Sequence, residues 1–165
     1  MTRCKTSHPA EAESCPLPDV SFALWLYSRF MKIFLADPHP QVRSALHLVL
    51  SQIPRASVIG ECGDVFQLLA RCSQECPDLI LLDPELVKVH RSQRRNSSQS
   101  LLDSIAVIHR ICPEAKVVAM SSRLEAEREA LDAGADGFIS KTEPPEVFCE
   151  EIARLWNKKE RRSTK

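Results

Sequence analysis

Four polar residues with complementary chemistry each follow a short apolar run: Asp37, Asp83, Ser121 and Lys141. A carboxylate can act as a nucleophile toward a phosphoryl group when cations screen the incoming negative charge. Mg²⁺ suits this task because one or two carboxylates hold it and phosphate oxygens and water complete its shell. A lysine ammonium adds a point charge on a phosphoryl oxygen, and a serine hydroxyl adds a hydrogen-bond donor. If these side chains meet, they form a magnesium-dependent site for a phosphoryl group.

The apolar runs that precede these residues are predicted strands. They are almost wholly apolar, which is typical of strands that are buried on both faces of a parallel sheet. Their predicted bounds are Lys32 to Ala36, Ser57 to Glu61, Leu79 to Leu82, Lys116 to Met120 and Gly137 to Ser140. Amphipathic stretches with apolar residues three and four apart separate them, which indicates a strand-helix repeat around a parallel sheet.

Five helices are predicted between and after these strands, the fourth over Leu124 to Ala133. Asp64 and Ser100 are expected N-caps of the second and third helices, and Pro40 fits a first helical position. In an open parallel sheet, ligands collect at the carboxyl ends of the strands. The four polar residues that open this section are therefore expected to converge on that edge.

Composition limits the classes of protein that the chain can be. It has 165 residues, 44% of them hydrophobic, and its 22 basic and 22 acidic side chains cancel, which argues against a surface that follows nucleic acid throughout. Seven cysteines without a CxxC motif or a secretion signal indicate a reducing compartment, and we expect a cytoplasmic protein. Cys72 and Cys76 are interpreted as small buried hydrophobes. No apolar stretch is long enough for a membrane anchor.

Three segments are predicted to lie outside the repeat, which itself covers residues 31–157. Residues 1–30 hold three prolines among polar residues and are expected to be a disordered extension. Residues 89–100 are polar and basic without periodicity, which favours a flexible loop. Residues 158–165 carry five bases against one acid and form a predicted basic tail.

Four segments resemble the receiver domain of bacterial two-component response regulators: MKIFLADPHPQVRSAL, PDLILLDPEL, VVAMSS and GADGFISK. They occur in the family's order over residues 31–157, and the similarity is greatest to receivers that usually precede a helix-turn-helix output domain. The resemblance implies a flavodoxin-like three-layer fold with five strands in the order 2-1-3-4-5.

The resemblance also implies a role for each of several residues. Asp83 is the expected phosphoacceptor. Asp37, Asp83 and the backbone of Glu85 are expected to hold Mg²⁺. Ser121 and Lys141 are expected to bind the phosphoryl group, and Phe138 matches the aromatic residue that turns inward on activation.

The chain departs from the family's pattern beside Asp37. The family has a second acid there that contacts the metal, whereas Pro38 has no ligand atom on its side chain. Mg²⁺ affinity is therefore expected to be weakened, with the carboxylate of Glu85 as a possible compensating ligand. A basic loop replaces the family's usual turn after Asp83, and Thr142 replaces the frequent proline after Lys141.

These features predict a stand-alone receiver that is not an enzyme. It would take a phosphoryl group from a sensor histidine kinase or a histidine phosphotransfer protein. It would then signal to a downstream protein through its fourth helix, fifth strand and fifth helix, with no DNA-binding domain of its own and no membrane contact. The alternative is a degenerate receiver, a phosphorylation-independent interaction module in which Pro38 has spoiled the metal site. A flavodoxin-like enzyme or nucleotide binder is disfavoured because no GxGxxG or P-loop follows the first strand.

Ordinary structural explanations compete with some of these roles. Asp83 precedes a proline and could be a turn acid, and Ser121 could simply end a strand. His39 lies near the predicted site, but as a loop residue it is expected to be solvated.

Overall fold

The computed structural model describes residues 30–88 and 97–163, which form five strands and six helices, with two helices between the third and fourth strands. The strands are β1 (Met31–Ala36), β2 (Ala56–Cys62), β3 (Leu79–Leu82), β4 (Lys116–Ser121) and β5 (Gly137–Ser140). The helices are α1 (Pro40–Leu50), α2 (Val65–Glu75), α3 (Glu85–Lys88), α4 (Ser97–Ile111), α5 (Ala126–Asp132) and α6 (Pro145–Ser163). All strands are parallel in the order β2-β1-β3-β4-β5, which confirms the predicted fold.

Two apolar clusters hold the helices against the two faces of the sheet. In β1, Ile33 and Leu35 pack with residues of α1 and α6, whereas Phe34 and Ala36 pack with residues of α2, α4 and α5. This alternation follows from the two-residue period of a strand. Each face therefore buries a full apolar layer, and the result is the expected three-layer architecture.

The helix boundaries differ from prediction where local polarity hides the pattern. Helix α4 begins at Ser97, so the loop predicted for residues 89–100 is helical in its last four residues, and Ser100 lies inside the helix rather than at its cap. The first turn of α4 is polar and carries none of the apolar spacing that marks the rest. Asp64 does cap α2, since its carboxylate accepts from the backbone N–H of Gln67 at 2.9 Å.

Two predicted segments lie wholly or largely outside the described residues. These are the amino-terminal extension, of which only residue 30 is described, and residues 89–96 of the basic loop. The backbone of α6 continues to Ser163, so most of the predicted basic tail is helical. In the described ranges, no helix is both long and apolar enough to cross a bilayer.

Three cysteines are buried as small apolar side chains. Burial raises the pKa of Cys72 to about 12 and those of Cys62 and Cys112 to about 11. The Cys112 thiol donates to the backbone carbonyl of Cys72 at 3.0 Å, which links the carboxyl ends of α2 and α4. Cys76 is exposed, so its interpretation as a buried hydrophobe is wrong, because it lies at the C-cap of α2 rather than on the buried face.

Candidate functional site

The carboxyl ends of β1, β3, β4 and β5 bring the four predicted polar residues to one edge of the sheet. Asp37 directly follows β1, Asp83 follows β3 and Lys141 follows β5, while Ser121 is the last residue of β4. Backbone hydrogen bonds extend the ladder into these positions: Asp83 N–H donates to Ala36 O at 2.8 Å, and Lys141 N–H donates to Ser121 O at 3.0 Å. Because the backbone is paired up to each residue, the sheet itself positions the side chains.

A lysine ammonium joins the two acids. Lys141 Nζ donates to Asp37 Oδ2 and to Asp83 Oδ2. The acid side chains are only 0% and 5% exposed, and that of Lys141 is 16% exposed. Two buried carboxylates therefore share a single positive charge, which leaves the group with a net negative charge that a bound cation can neutralise.

The charge state of Lys141 follows from these contacts. Burial lowers its pKa, but the hydrogen bonds to Asp37 and Asp83 and the charges of both carboxylates outweigh that effect, so the pKa is raised above 10.5. Lys141 is thus a permanent cation at neutral pH. A permanent cation beside a carboxylate is the arrangement that lowers the electrostatic cost of bringing in a phosphoryl group.

The second oxygen of each acid accepts a backbone hydrogen bond from two residues further along the chain. Asp37 Oδ1 accepts from His39 N–H at 2.8 Å, and Asp83 Oδ1 accepts from Glu85 N–H at 2.7 Å. These bonds fix the orientation of both carboxylates. Glu85 is itself exposed, so its backbone rather than its side chain makes the contact with Asp83.

Arg43, which sequence analysis missed, supports the loop after β1 from helix α1. Its Nη1 donates to the backbone carbonyl of Asp37 at 2.7 Å, and its Nε lies 3.3 Å from a carboxylate oxygen of Glu61. Nothing in the spacing of the sequence marks Arg43, because the contact depends on how α1 packs beside the end of β1.

Ser121 and Phe138 do not join the contact among Asp37, Asp83 and Lys141. Ser121 is buried at the same edge of the sheet, and its Oγ accepts from the backbone N–H of Arg123 at 3.1 Å. Phe138 lies within β5, opposite Ala119, and packs half-buried against the cluster shared with α2, α4 and α5.

Asp37, His39 and Asp83 form a possible metal site. Each offers one ligand atom, and these atoms all lie within 4.8 Å of one another. Two buried carboxylates are the protein ligands that Mg²⁺ usually takes when phosphate oxygens and water fill its other positions, so the acids fit that ion. His39 was expected to be solvated, and its side chain is 56% exposed, yet its Nδ1 lies 3.3 Å from Asp37 Oδ1. In the sequence, only the position of His39 two residues after Asp37 indicates that it could join this site.

Comparison with known proteins places this geometry in a family. The profile of the response regulator receiver domain matches residues 33–153. The transcriptional activator protein ExaE of Pseudomonas putida is 30% identical over 127 residues, which cover 76% of this chain and 55% of that protein. The DNA-binding transcriptional activator DevR/DosR of Mycobacterium tuberculosis is 30% identical over 113 residues, 67% of this chain and 48% of that protein.

A solved structure shares the fold. The isolated receiver domain of RcsB from Salmonella enterica serovar Typhimurium, determined with the phosphomimetic BeF3⁻, superposes with a TM-score of 0.63 at 19% identity. The alignment covers 77% of this chain and 88% of that one.

The relatives correct the partner prediction made from the sequence. That prediction had a receiver with no DNA-binding domain of its own, which signals only to a downstream protein. The chain spans about half the length of the curated relatives it matches, and those relatives are transcriptional activators, one of them named as DNA-binding. The chain therefore corresponds to the receiver part of such regulators. The predicted lack of a DNA-binding domain rested on the length of the chain, and the relatives show that this prediction is wrong.

Proposed function

Because the chain belongs to the response regulator receiver domain family of two-component systems, we propose that Asp83 is its phosphoacceptor. The donor is a sensor histidine kinase or a histidine phosphotransfer protein. An Asp83 carboxylate oxygen attacks phosphorus, the bond from phosphorus to the donor histidine nitrogen breaks, and the electron pair stays with that nitrogen. The chain acts as a signalling switch rather than as an enzyme with a released product.

The observation that carries this proposal is the contact of Lys141 with both buried acids. Its ammonium lies against Oδ2 of Asp83, so positive charge is already in place where the phosphoryl group adds negative charge. Glu85 N–H holds the other oxygen of Asp83 at 2.7 Å, which keeps the carboxylate oriented for attack. The acceptor is thus fixed and partly screened before the donor arrives.

The remaining residues bind the cation and the transferred group. Asp37 and Asp83, with the backbone of Glu85, would hold Mg²⁺, which would supply positive charge beside the phosphoryl oxygens. Ser121 Oγ accepts from Arg123 N–H, so its own proton is the part that can donate to a phosphoryl oxygen. Phe138 is half-buried on β5, opposite Ala119 and two residues before the partner of Ser121 in the ladder, and turns inward when the Ser121 hydroxyl is engaged.

Intact mass measurement tests the proposal. The protein is incubated with Mg²⁺ and an acyl phosphate, and a gain of one phosphoryl group that hydroxylamine removes is the expected result. Asp83→Asn abolishes the gain. Asp136→Asn is the matched control, because this aspartate also contacts a lysine but lies at the opposite edge of the sheet, and it keeps the gain. A wild-type protein that never gains the group overturns the proposal.

Pro38 favours a second candidate function, a receiver that acts as an interaction module without phosphorylation. Its side chain offers no oxygen beside Asp37, where the family has a second acid. Under this alternative the wild-type protein takes up no phosphoryl group at any Mg²⁺ concentration, whereas Pro38→Asp does. Under the first proposal both proteins take it up, and Pro38→Asp needs less Mg²⁺.

We place the protein in the cytoplasm. Free thiols at the buried Cys62, Cys72 and Cys112 support a reducing compartment. Acid quenching of intact cells, followed by alkylation of the denatured protein and mass measurement, tests whether these thiols are reduced where the protein works.

A further inference from the structure

The residue that follows Asp37 leaves a gap in the ligand set of the cation site. Pro38 contributes no donor atom there, yet the two acids still share one ammonium and keep a net negative charge. A cation bound to these acids alone would have only two side-chain ligands. Within the part of the chain that the structure describes, His39, the next residue along the chain, offers a third ligand atom within 4.8 Å of one from each acid.

The backbone folds His39 back toward Asp37. Its N–H donates to Asp37 Oδ1 at 2.8 Å, and its Nδ1 lies 3.3 Å from the same oxygen. Metal bonds to imidazole nitrogen and carboxylate oxygen are about 2.0–2.2 Å long, so two ligand atoms of one ion lie at most about 4.2 Å apart. The separation of 3.3 Å is within that span. The bound of 4.8 Å on the whole set exceeds it by about 0.6 Å, so the three ligand atoms must draw together by up to that amount when an ion binds.

Lys141 does not compete with His39 for the same oxygen. The ammonium contacts Oδ2 of both acids, whereas the imidazole lies beside Oδ1 of Asp37. The side chain of His39 is 56% exposed, so an ion from solvent reaches it directly. The site thus has one side that is open to solvent, where the His39 imidazole lies, and one side that the Lys141 ammonium occupies.

An imidazole nitrogen changes which ion the site prefers. Carboxylates bind both Mg²⁺ and Mn²⁺, whereas imidazole adds affinity for first-row transition-metal ions, Mn²⁺ among them, whose affinity for a given site rises from Mn²⁺ to Cu²⁺. We propose that His39 is a ligand of the divalent cation at the Asp37–Asp83 site and that it shifts the preference of that site from Mg²⁺ toward transition-metal ions. This inference deepens the proposed function, because it concerns the cation at the same acids.

Mn²⁺ is the probe, because oxygen and nitrogen ligands bind it and the free thiols of this chain are poor ligands for it. Free Mn²⁺ is measured by its electron paramagnetic resonance signal in titrations of the untagged, unphosphorylated chain, and Mg²⁺ affinity is measured by competition. We expect His39→Ala to weaken Mn²⁺ binding by at least about tenfold. Mg²⁺ binding should change by less than about twofold, because imidazole contributes little to it.

Three variants keep the test decisive. His39→Gln retains the backbone N–H bond to Asp37 and a polar side chain, and it should lose Mn²⁺ affinity as His39→Ala does. His47→Ala removes another half-exposed histidine, one that lies 3.8 Å from Glu61 rather than at the site, and should change neither affinity. Pro38→Asp should raise Mg²⁺ affinity and make His39 dispensable for binding. Circular dichroism verifies that each variant is folded.

Two results overturn the inference: equal loss of Mn²⁺ and Mg²⁺ affinity in His39→Ala, or no loss of either. In the first case His39 only orients Asp37, and in the second it is solvated. Either result leaves phosphoryl uptake on Asp83 untouched as a proposal. Conversely, if His39-dependent Mn²⁺ binding is found but Asp83 takes no phosphoryl group with either ion, the proposed function fails and the metal assignment stands.

Discussion

Both edges of the sheet carry aspartates in contact with lysines, and the two edges use these contacts differently. At the amino edge, Asp136 lies 2.6 Å from Lys116 Nζ and also accepts from the backbone N–H of Val117 at 2.9 Å. Asp78, buried at the same edge, accepts from the backbone N–H of Lys32 at 3.0 Å. Each of these acids therefore ties the start of its own strand to the start of a neighbouring strand.

At the carboxyl edge, the described hydrogen bonds of the acids have a different arrangement. The carboxylates of Asp37 and Asp83 accept from the backbone N–H groups two positions ahead of each, and Lys141 makes the side-chain contact between strands. Two anions share one cation there, whereas at the amino edge the lysine faces a partly solvated acid. Residue type and burial alone thus do not distinguish a structural acid–lysine pair from a candidate site. The two edges differ in whether each carboxylate accepts from an N–H group of a neighbouring strand or from one two residues ahead.

The largest expected effect tests this contrast through the two lysines. Lys141→Met leaves two buried carboxylates beside each other without a counter-charge, and we expect it to reduce the free energy of unfolding by about 3–5 kcal/mol. Lys116→Met removes a partly exposed partner, which should cost at most about 1 kcal/mol. Urea denaturation at neutral pH measures both. Equal losses in the free energy of unfolding would show that the two lysines contribute equally to stability.

An intermediate effect compares the acids. Asp136→Ala leaves Val117 N–H without its acceptor, and we expect the free energy of unfolding to fall by about 1–3 kcal/mol. Asp37→Asn keeps an acceptor oxygen for His39 N–H and removes one of the two negative charges that share Lys141, so it should stabilise the fold by up to about 1 kcal/mol. If Asp37→Asn lowers the free energy of unfolding more than Asp136→Ala does in the same urea titrations, the two edges do not differ as described.

The smallest effect is the dependence on pH of the contribution that Lys141 makes at the carboxyl edge. The pKa of Lys141 is raised in the folded protein, so its contribution to stability is fully present below pH 10.5 and is lost as the pH rises through the folded pKa. The stability difference between wild type and Lys141→Met should be constant from pH 7 to about 10, and it should shrink at higher pH. The same titration of Lys116→Met serves as control. A difference that grows with pH would contradict the assignment.

Much of the fold follows from short-range patterns in the sequence. The run Leu79–Leu82 is apolar at every position because β3 is central and buried on both faces, and this made it recognisable. Once the strands are placed, the sheet edge rule brings Asp37, Asp83 and Lys141 together, as the structure has them. These contacts could be anticipated because parallel strands end at a common edge.

The parts that could not be anticipated depend on tertiary packing or on single backbone turns. The short helix Glu85–Lys88 is only one turn long and has no periodicity to detect. The contact of Arg43 with the Asp37 carbonyl requires the angle at which α1 leaves the sheet. The approach of His39 to Asp37 depends on the backbone conformation of the loop after β1 and on the rotamer of His39, and neither has a periodic pattern in the sequence.

The position of Lys141 also bears on how the protein is made. This lysine is 104 residues from Asp37 and 58 from Asp83, and it follows the edge strand β5, which pairs only with β4. During synthesis both acids leave the ribosome before their counter-ion exists. Because contacts so distant in sequence carry a high entropic cost of loop closure, the triad is completed only when β5 docks on the preformed sheet. A nascent or frayed chain that lacks β5 has both acids but not the ammonium that they share. If Asp83 is the phosphoacceptor as proposed, phosphoryl uptake therefore requires the complete sheet.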